Sequence, residues 1–437
     1  MRFHTTLTRA NAAEPDHHHV GAHGIRQEPS AHAKGHKIST NLSSYIYSST
    51  DVIRQSPMNT KLARKLRFSR FSSRPNETSA GSGERQTGID LVRAIGVLAV
   101  VLYHYSYRFP ADYIHGGTHV NVFAYGKLGV NMFFIVSAFC ISGSLDRSQS
   151  LVQFLAKRIA RLYPAFLMCA LTTFLVTMLF GLPGREVGIL TLLMNLLWIN
   201  MILPIPHVDG AYWTIAFELR FYFLIGIVYF IAKRDYRKVI NFWRLINLCG
   251  IALYVVGYIF KDGIVGQIIR VTNANIFLHP FEGYFLIGIT LFRWSKISCA
   301  SRAINVALFC AGVVFSDNLF DEKIICLAFL PILLLILRSD KVRIPAPVLW
   351  IGLISYPLYL LHQNFGLVIM RETWPVINPF IPRSLIAFSI VAATAAIINF
   401  RLEPLVRLPF EHALIRLGNV ATNWIPGQHK NNDASAI

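Results

Sequence analysis

The sequence predicts an all-α integral membrane protein of about ten transmembrane helices, with a further re-entrant or surface-lying helix near 187–203. Three observations predict it. Apolar residues make up 54% of the 437 and charged residues only 15%, against roughly 25% charged in an ordinary soluble domain. The apolar residues, 31 phenylalanines among them, are gathered into blocks long enough to cross a bilayer, which takes about 20 residues per helix. Between the blocks, positive charge recurs in every second loop, the mark of the cytoplasmic side.

The blocks fall at roughly 89–108, 126–145, 160–181, 211–232, 243–260, 273–292, 303–317, 324–338, 347–370 and 384–402. Basic residues follow each even-numbered block: Arg147, Lys157, Arg158 and Arg161; then Lys233, Arg234, Arg237 and Lys238; then Arg293, Lys296 and Arg302; then Arg338, Lys341 and Arg343. The opposite loops are poorer in positive charge, and one, SDNLFDEK, is acidic. Both termini are therefore expected in the cytoplasm. Counting 187–203 as a further crossing would put KRDYRK outside and break this alternation, so that block is expected to re-enter or lie on the surface. No internal repeat suggests the paired halves of a transporter.

Residues 1–88 are polar, basic and without apolar periodicity, so a disordered cytoplasmic tail is expected. No secretory leader is visible in it. His17, His18 and His19 lie there without the carboxylates or cysteines that would define a metal geometry, and no metal site is expected. The basic run from Met58, MNTKLARKLRFSR, offers an alternative translation start. Residues 89–405 form the expected membrane domain, and 406–437 a short cytoplasmic tail. The formal charge of +19 sits mainly in the tail and loops, which argues for topology and anionic lipid rather than nucleic acid. Five of the six cysteines lie in apolar blocks and none forms a C-x-x-C pair, so neither a disulfide framework nor a zinc site is indicated.

Charged side chains cost several kcal/mol in hydrocarbon, so each one found there invites a reason. In the first block Arg93 and His104 are eleven residues apart, which places them about 20° apart around a helix and roughly 16 Å apart along it. They can line one long cavity, the guanidinium toward the cytoplasm and the imidazole toward the outside. A guanidinium there suits the phosphates of a cytoplasmic acyl donor, and an imidazole suits removal of a hydroxyl proton. Spacing alone leaves a second reading open, with Arg93 an interfacial anchor paired with Asp90 at i−3 and His104 a residue of the outer rim.

The third block opens with KRIARLYP, placing Arg158 and Arg161 on one face, where they suit donor phosphates, anionic lipid or simple topology. Glu218 lies within YWTIAFELRFYFL and needs a cation or a proton. It reads as a structural partner of Arg220 or another arginine, or as a sugar-binding carboxylate beside Tyr212 and Trp213. Ser355, Tyr359 and His362 form a polar stripe on one helix face, consistent with interhelical hydrogen bonding. Glu282 in HPFEGYF is a further buried acid.

The order of these segments resembles acyltransferase family 3, bacterial membrane enzymes that O-acylate surface sugars. The resemblance runs through GIDLVRAIGVLAVVLYH, GKLGVNMFFIVSAFCIS, RIARLYP, YWTIAFELRFYFL and ISYPLYLLH to LEP at Leu402 to Pro404, roughly 89–405. It implies that Arg93 and His104 are essential, with His104 in the catalytic role. It further implies that Arg158 and Arg161 handle the donor, and that Ser355, Tyr356 and His362 form a further motif. The block holding Ser137 departs from the family pattern, carrying Ala138 where glycine is usual.

By that resemblance the chain is an enzyme of a bacterial inner membrane moving an acyl group, most simply acetyl, from acyl-CoA to a cell-surface or exported carbohydrate. Acyl-CoA is a co-substrate and no cofactor is permanently bound. The expected partners are a carbohydrate or glycolipid acceptor, membrane lipid and a separate extracytoplasmic protein. The rival reading from another class is a transporter or flippase for a polysaccharide precursor, with the same polar residues lining a path and no covalent chemistry.

Overall fold

A computed structural model describes residues 87–113, 120–201, 203–261, 263–338 and 344–423. These all belong to one compact unit, Arg85–Ile437. The 1–86 tail with its histidines and Met58, the loop residues Lys341 and Arg343, and the end of the C-terminal tail lie outside the described residues.

Among the described residues the regular structure is helical. The helices are α1 Thr87–Tyr103, α2 Gly129–Asp146, α3 Leu151–Phe180, α4 Ile189–Leu196, α5 Trp213–Ile231, α6 Tyr236–Ile259 and α7 Ile264–Thr272. They continue as α8 Glu282–Phe292, α9 Cys299–Val314, α10 Phe320–Arg338, α11 Ala346–Leu361, α12 Asn364–Glu372, α13 Phe380–Ile397 and α14 Glu403–Asn423. A π turn, His104–Arg108, extends α1, and another, Ile398–Leu402, joins α13 to α14.

Six stretches are long and apolar enough to cross a membrane: Thr87–Arg108, Asn121–Asp146, Leu151–Phe180, Gly210–Ile231, Tyr236–Ile259 and Phe380–Val420. Two shorter apolar helices, Cys299–Val314 and Ala346–Leu361, accompany them. The expected count of ten differs from this for physical reasons. The sixth expected span is interrupted between α7 and α8 at Leu278, in the left-handed region at φ 61°, leaving α8 only eleven residues, about 17 Å. Helix α10 opens on Asp321, Glu322 and Lys323, which leaves only a short apolar stretch behind them. The ninth expected span is two helices, α11 and α12, with His362 and Gln363 at the break. Helix α4, within the block 187–203, has eight residues, about 12 Å, and cannot cross.

Charge contacts sort the bundle into two ends. After α2, α5 and α8 the chain meets at one of them, where Arg293 pairs with Asp146 at 2.7 Å and Arg234 donates to the Ser148 carbonyl at 2.8 Å. At the other end Lys127 pairs with Glu322 at 2.6 Å and Arg185 with Asp112 at 2.8 Å. The basic residues after α2, α5 and α8 thus lie together at one end of the bundle.

Close approach of helices rests on small residues, as it does where lipid supplies no hydrophobic drive for helix association. A Cβ on Gly352 of α11 would stand 2.2 Å from the Asp90 carbonyl oxygen of α1. One on Gly288 of α8 would stand 2.5 Å from the Ala138 methyl group of α2. Ala138, fully buried, is therefore accommodated by a glycine on the opposing helix.

Candidate active site

Helices α1, α2, α3, α5 and α11 line a cavity of about 150 Å³. Their directions order its lining by depth. Toward the end where α1 begins stand Arg93, Arg158 and Arg161; midway stand Ser137, Glu218, Ser355 and Tyr356; at the far end stand Phe133, Phe134, Ile215 and Tyr359. Charge, then hydroxyls, then apolar rings follow one another along the bundle.

The three arginines are not equivalent. Arg93, one-third exposed, lies 3.9 Å from Asp90 and donates to the Cys140 sulfur at 3.6 Å. Arg161 pairs at 2.5 Å with Glu403, a buried carboxylate that also faces Arg407 at 3.7 Å. Arg158 lines the cavity with its Nε buried and lacking a hydrogen-bond partner among the described residues. A buried guanidinium nitrogen in that state favours an anionic ligand. Arg158 therefore has more spare capacity than Arg161, whose charge is already shared with Glu403.

Glu218 accepts hydrogen bonds from Ser137 Oγ at 2.9 Å and from the Tyr222 hydroxyl. The Arg220 guanidinium sits 5.6 Å from the Phe217 ring centroid. Tyr212 and Trp213 do not line the cavity beside Glu218. Tyr212 is buried with its ring 5.2 Å from Phe166, and Trp213 packs among Phe134, Phe217 and Phe281. Adjacent helical residues point in different directions, so nearness in sequence did not place these rings with Glu218. Ser355 Oγ donates to its own helix at the Gly352 carbonyl, 2.8 Å away, and the Tyr356 hydroxyl donates to Leu162 O on α3 at 3.2 Å. Glu282 is fully buried outside this cavity and lies 2.8 Å from His279 Nδ1.

His104 begins the π turn that extends α1, an irregularity often found at functional sites. Its Nδ1 is 3.0 Å from the Val100 carbonyl and 3.1 Å from Nε2 of His362, which is fully buried. His362 Nδ1 in turn is 2.6 Å from the Tyr359 carbonyl. A carbonyl oxygen only accepts, so His362 carries its proton on Nδ1 and, when neutral, presents a lone pair at Nε2. His104 must then donate from its own Nδ1, to Val100 and His362 together. Its Nε2 is left with a free lone pair, as a general base requires.

His104 does not itself line the cavity. Between them lie Phe133 and Tyr359, with ring centroids 5.7 Å apart, and Tyr359 is in turn 5.4 Å from His362. Phe133 rests on α1 at Gly96, where a Cβ would meet the ring at 3.2 Å. Phe133 thus covers α1 at Gly96, which lies between Arg93 and His104 in the chain.

Asp209, fully buried in the loop that leads into α5, did not stand out in the sequence. Its carboxylate accepts the backbone N–H groups of Ala211 and Asn364, each at 2.8 Å. Burial raises its pKa to about 6 despite those two donors and the nearby Arg185. Its place beside the turn carrying His362 depends on residues more than 150 positions away, which no local spacing rule reports.

A family model described as an acyltransferase domain matches residues 86–400. The candidate acetyltransferase ORF330 of Acidianus two-tailed virus is 24% identical over 257 residues, covering 56% of this chain and 74% of that protein. The O-acetyltransferase OatA of Staphylococcus aureus is 26% identical over 192 residues, covering 39% of this chain and 29% of OatA. The O-acetyl transferase of Shigella phage Sf6 is 24% identical over 222 residues, covering 47% and 62% of the two chains. The chain therefore spans less than a third of OatA and less than two thirds of the phage protein in these matches. No solved structure matches the chain.

Proposed function

The chain belongs to the acyltransferase domain family, and from that premise we propose that it moves an acyl group, most simply acetyl, from acyl-CoA to a hydroxyl of a cell-surface or exported carbohydrate. One observation carries the reading: an imidazole pair that leaves Nε2 of His104 unprotonated stands just beyond a cavity whose other end is lined by arginines.

Acyl-CoA enters from the cytoplasm. Its phosphates meet Arg158 and Arg93, with Arg161 supplying charge in exchange with Glu403. The pantetheine arm lies along Ser137, Glu218, Ser355 and Tyr356, and the thioester reaches the aromatic end. The axial separation of Arg93 and His104, roughly 16 Å, is the kind of span such an extended arm covers. Asp90 orients Arg93 rather than meeting the donor.

The acceptor approaches from the other side, as a glycolipid or held by a separate extracytoplasmic partner. His104 Nε2 removes the hydroxyl proton as the oxygen attacks the thioester carbonyl, and the resulting imidazolium is stabilised by Val100 O and His362 Nε2. The tetrahedral species expels the CoA thiolate, which takes the proton from His104. Ester and thiol leave, and no redox partner or metal enters the balance. General-base help of this kind is worth about 10²–10⁴-fold. In this reading the chain crosses a bacterial cytoplasmic membrane ten times with both termini inside, α7 and α8 together forming one broken crossing.

NMR or mass spectrometry of surface glycans from strains with and without the gene tests the proposal. The O-acyl signals should vanish on deletion and in His104→Ala while the parent glycan is still exported. O-acyl content unchanged by deletion would favour transport instead.

A further inference from the structure

Four contacts close a ring around the buried end of α11. The Asp209 carboxylate holds the N–H of Ala211 and the N–H of Asn364, each at 2.8 Å. The Ala211 carbonyl accepts the Tyr359 hydroxyl at 3.2 Å. The Tyr359 carbonyl accepts His362 Nδ1 at 2.6 Å, and Asn364 follows His362 by two residues. Asp209 is thus joined to His362 from both sides, once through Tyr359 and once through the chain itself.

We propose that Asp209 is a positioning residue for the transfer reaction, holding His362 in the orientation and tautomer that keep Nε2 of His104 free. The inference rests on the acyl-transfer reading above. The carboxylate touches no substrate. It fixes the turn at His362 and Gln363, where α11 stops and α12 starts, by taking an N–H that a continuous helix would have bonded internally. Without that anchor the turn can relax toward helix, the His362 ring shifts, and His104 reverts to the Nε2–H form that blocks its use as a base.

The ionised carboxylate accepts strongly at both oxygens, and protonation weakens one of them. The groups facing Asp209 are Arg185 from the loop after α3, Tyr105 from the π turn, Cys169 from α3, Tyr212 at the start of α5 and Tyr359 from α11. Of these Arg185 alone carries charge near neutrality, and it favours ionisation. Protonation of Asp209 therefore adds an acidic limb to the rate that isosteric replacement removes.

The test uses the full chain in lipid nanodiscs, with Asp209→Asn as the isosteric variant. Loss of one orienting hydrogen-bond acceptor should lower kcat about tenfold while the KM for acetyl-CoA, set by the distant arginines, stays within about twofold. The acidic limb near pH 6 should flatten in the variant. Nitrogen-15 NMR of labelled histidines supplies a readout that needs no turnover. Among the Nδ1-protonated rings of the wild type, two should be assigned to this pair by their loss in His104→Ala and His362→Ala, and Asp209→Asn should lose both.

Should Asp209→Asn fail to fold, Tyr359→Phe opens the same ring at its other side and must show the same loss of Nδ1–H signals. Unchanged signals in whichever variant folds, or a kcat equal to wild type, overturns the proposal. A wild type with no transfer activity overturns the functional reading instead, and the NMR signals still decide the role of Asp209.

Discussion

Nε2 of His362 lies 3.1 Å from Nδ1 of His104, although 258 positions separate the two residues in the chain. On the mechanism proposed above, the contact divides the work of one base between two rings: His104 meets the proton and His362 selects which nitrogen is free to take it. Removing His104 should abolish transfer, a loss of about 10²-fold or more. His362→Ala should lower kcat about tenfold, the worth of one orienting hydrogen bond, with donor KM unchanged. Steady-state kinetics on purified protein separates the two effects. Equal losses in both variants would make His362 as central as its partner.

Arg158, with its unpartnered Nε, should matter most where the donor has phosphates to offer. Arg158→Ala should raise the KM for acetyl-CoA about tenfold or more. A truncated thioester that ends at the pantetheine, with no nucleotide, should be used equally by variant and wild type. If the truncated donor suffers as much, Arg158 shapes the cavity and does not grip phosphate.

Gly352 lets α11 touch α1 at Asp90. Gly352→Ala must push the helices apart, and overpacking of this kind costs typically about 1–3 kcal/mol. Thermal unfolding in detergent should show a lowered midpoint. Because the displaced segment carries Asp90 and Arg93, donor KM should rise with it. An unaltered midpoint would mean that the two helices slide apart freely.

Asp209 gives stability a sign that activity does not share. Its folded pKa, raised to about 6, exceeds the unfolded value of about 3.9. The stability it contributes is therefore fully present below about pH 4 and lost as pH rises through 6. The difference approaches about 3 kcal/mol for this fully buried group. Measured against Asp209→Asn to cancel other titrations, the wild type should lose relative stability across that window while its turnover increases. A flat difference between pH 4 and 7 would refute the assignment of the raised pKa to Asp209.

Much of this molecule was legible in its sequence where the signal is local. Apolar block length marked the long helices, and loop charge marked the two ends. Ser355, Tyr359 and His362 stood out as a stripe, and Tyr359 and His362 now flank the site. The misreadings came where tertiary contacts override a local pattern. The block 347–370 is apolar enough to read as one span, yet it is cut at His362 and Gln363, beside the Asn364 N–H that a carboxylate from another loop holds. Tyr212 and Trp213 adjoin a polar segment, yet they belong to an aromatic core. Arg161 and Glu403 are 242 positions apart, so their mutual neutralisation has no signature in either neighbourhood. Ala138 departed from the expected glycine, and the compensating Gly288 could be found only across the helix contact.

The Phe133 ring lying over Gly96 bears on the cell's energy supply. A tunnel wide enough for a soluble nucleotide carrier would, if it ran clear through the bilayer, let hydronium and sodium drain down their gradients with every idle second. On the reading proposed above, the Phe133 ring between the guanidinium and the imidazole keeps the two aqueous compartments from joining until a donor fills the bore.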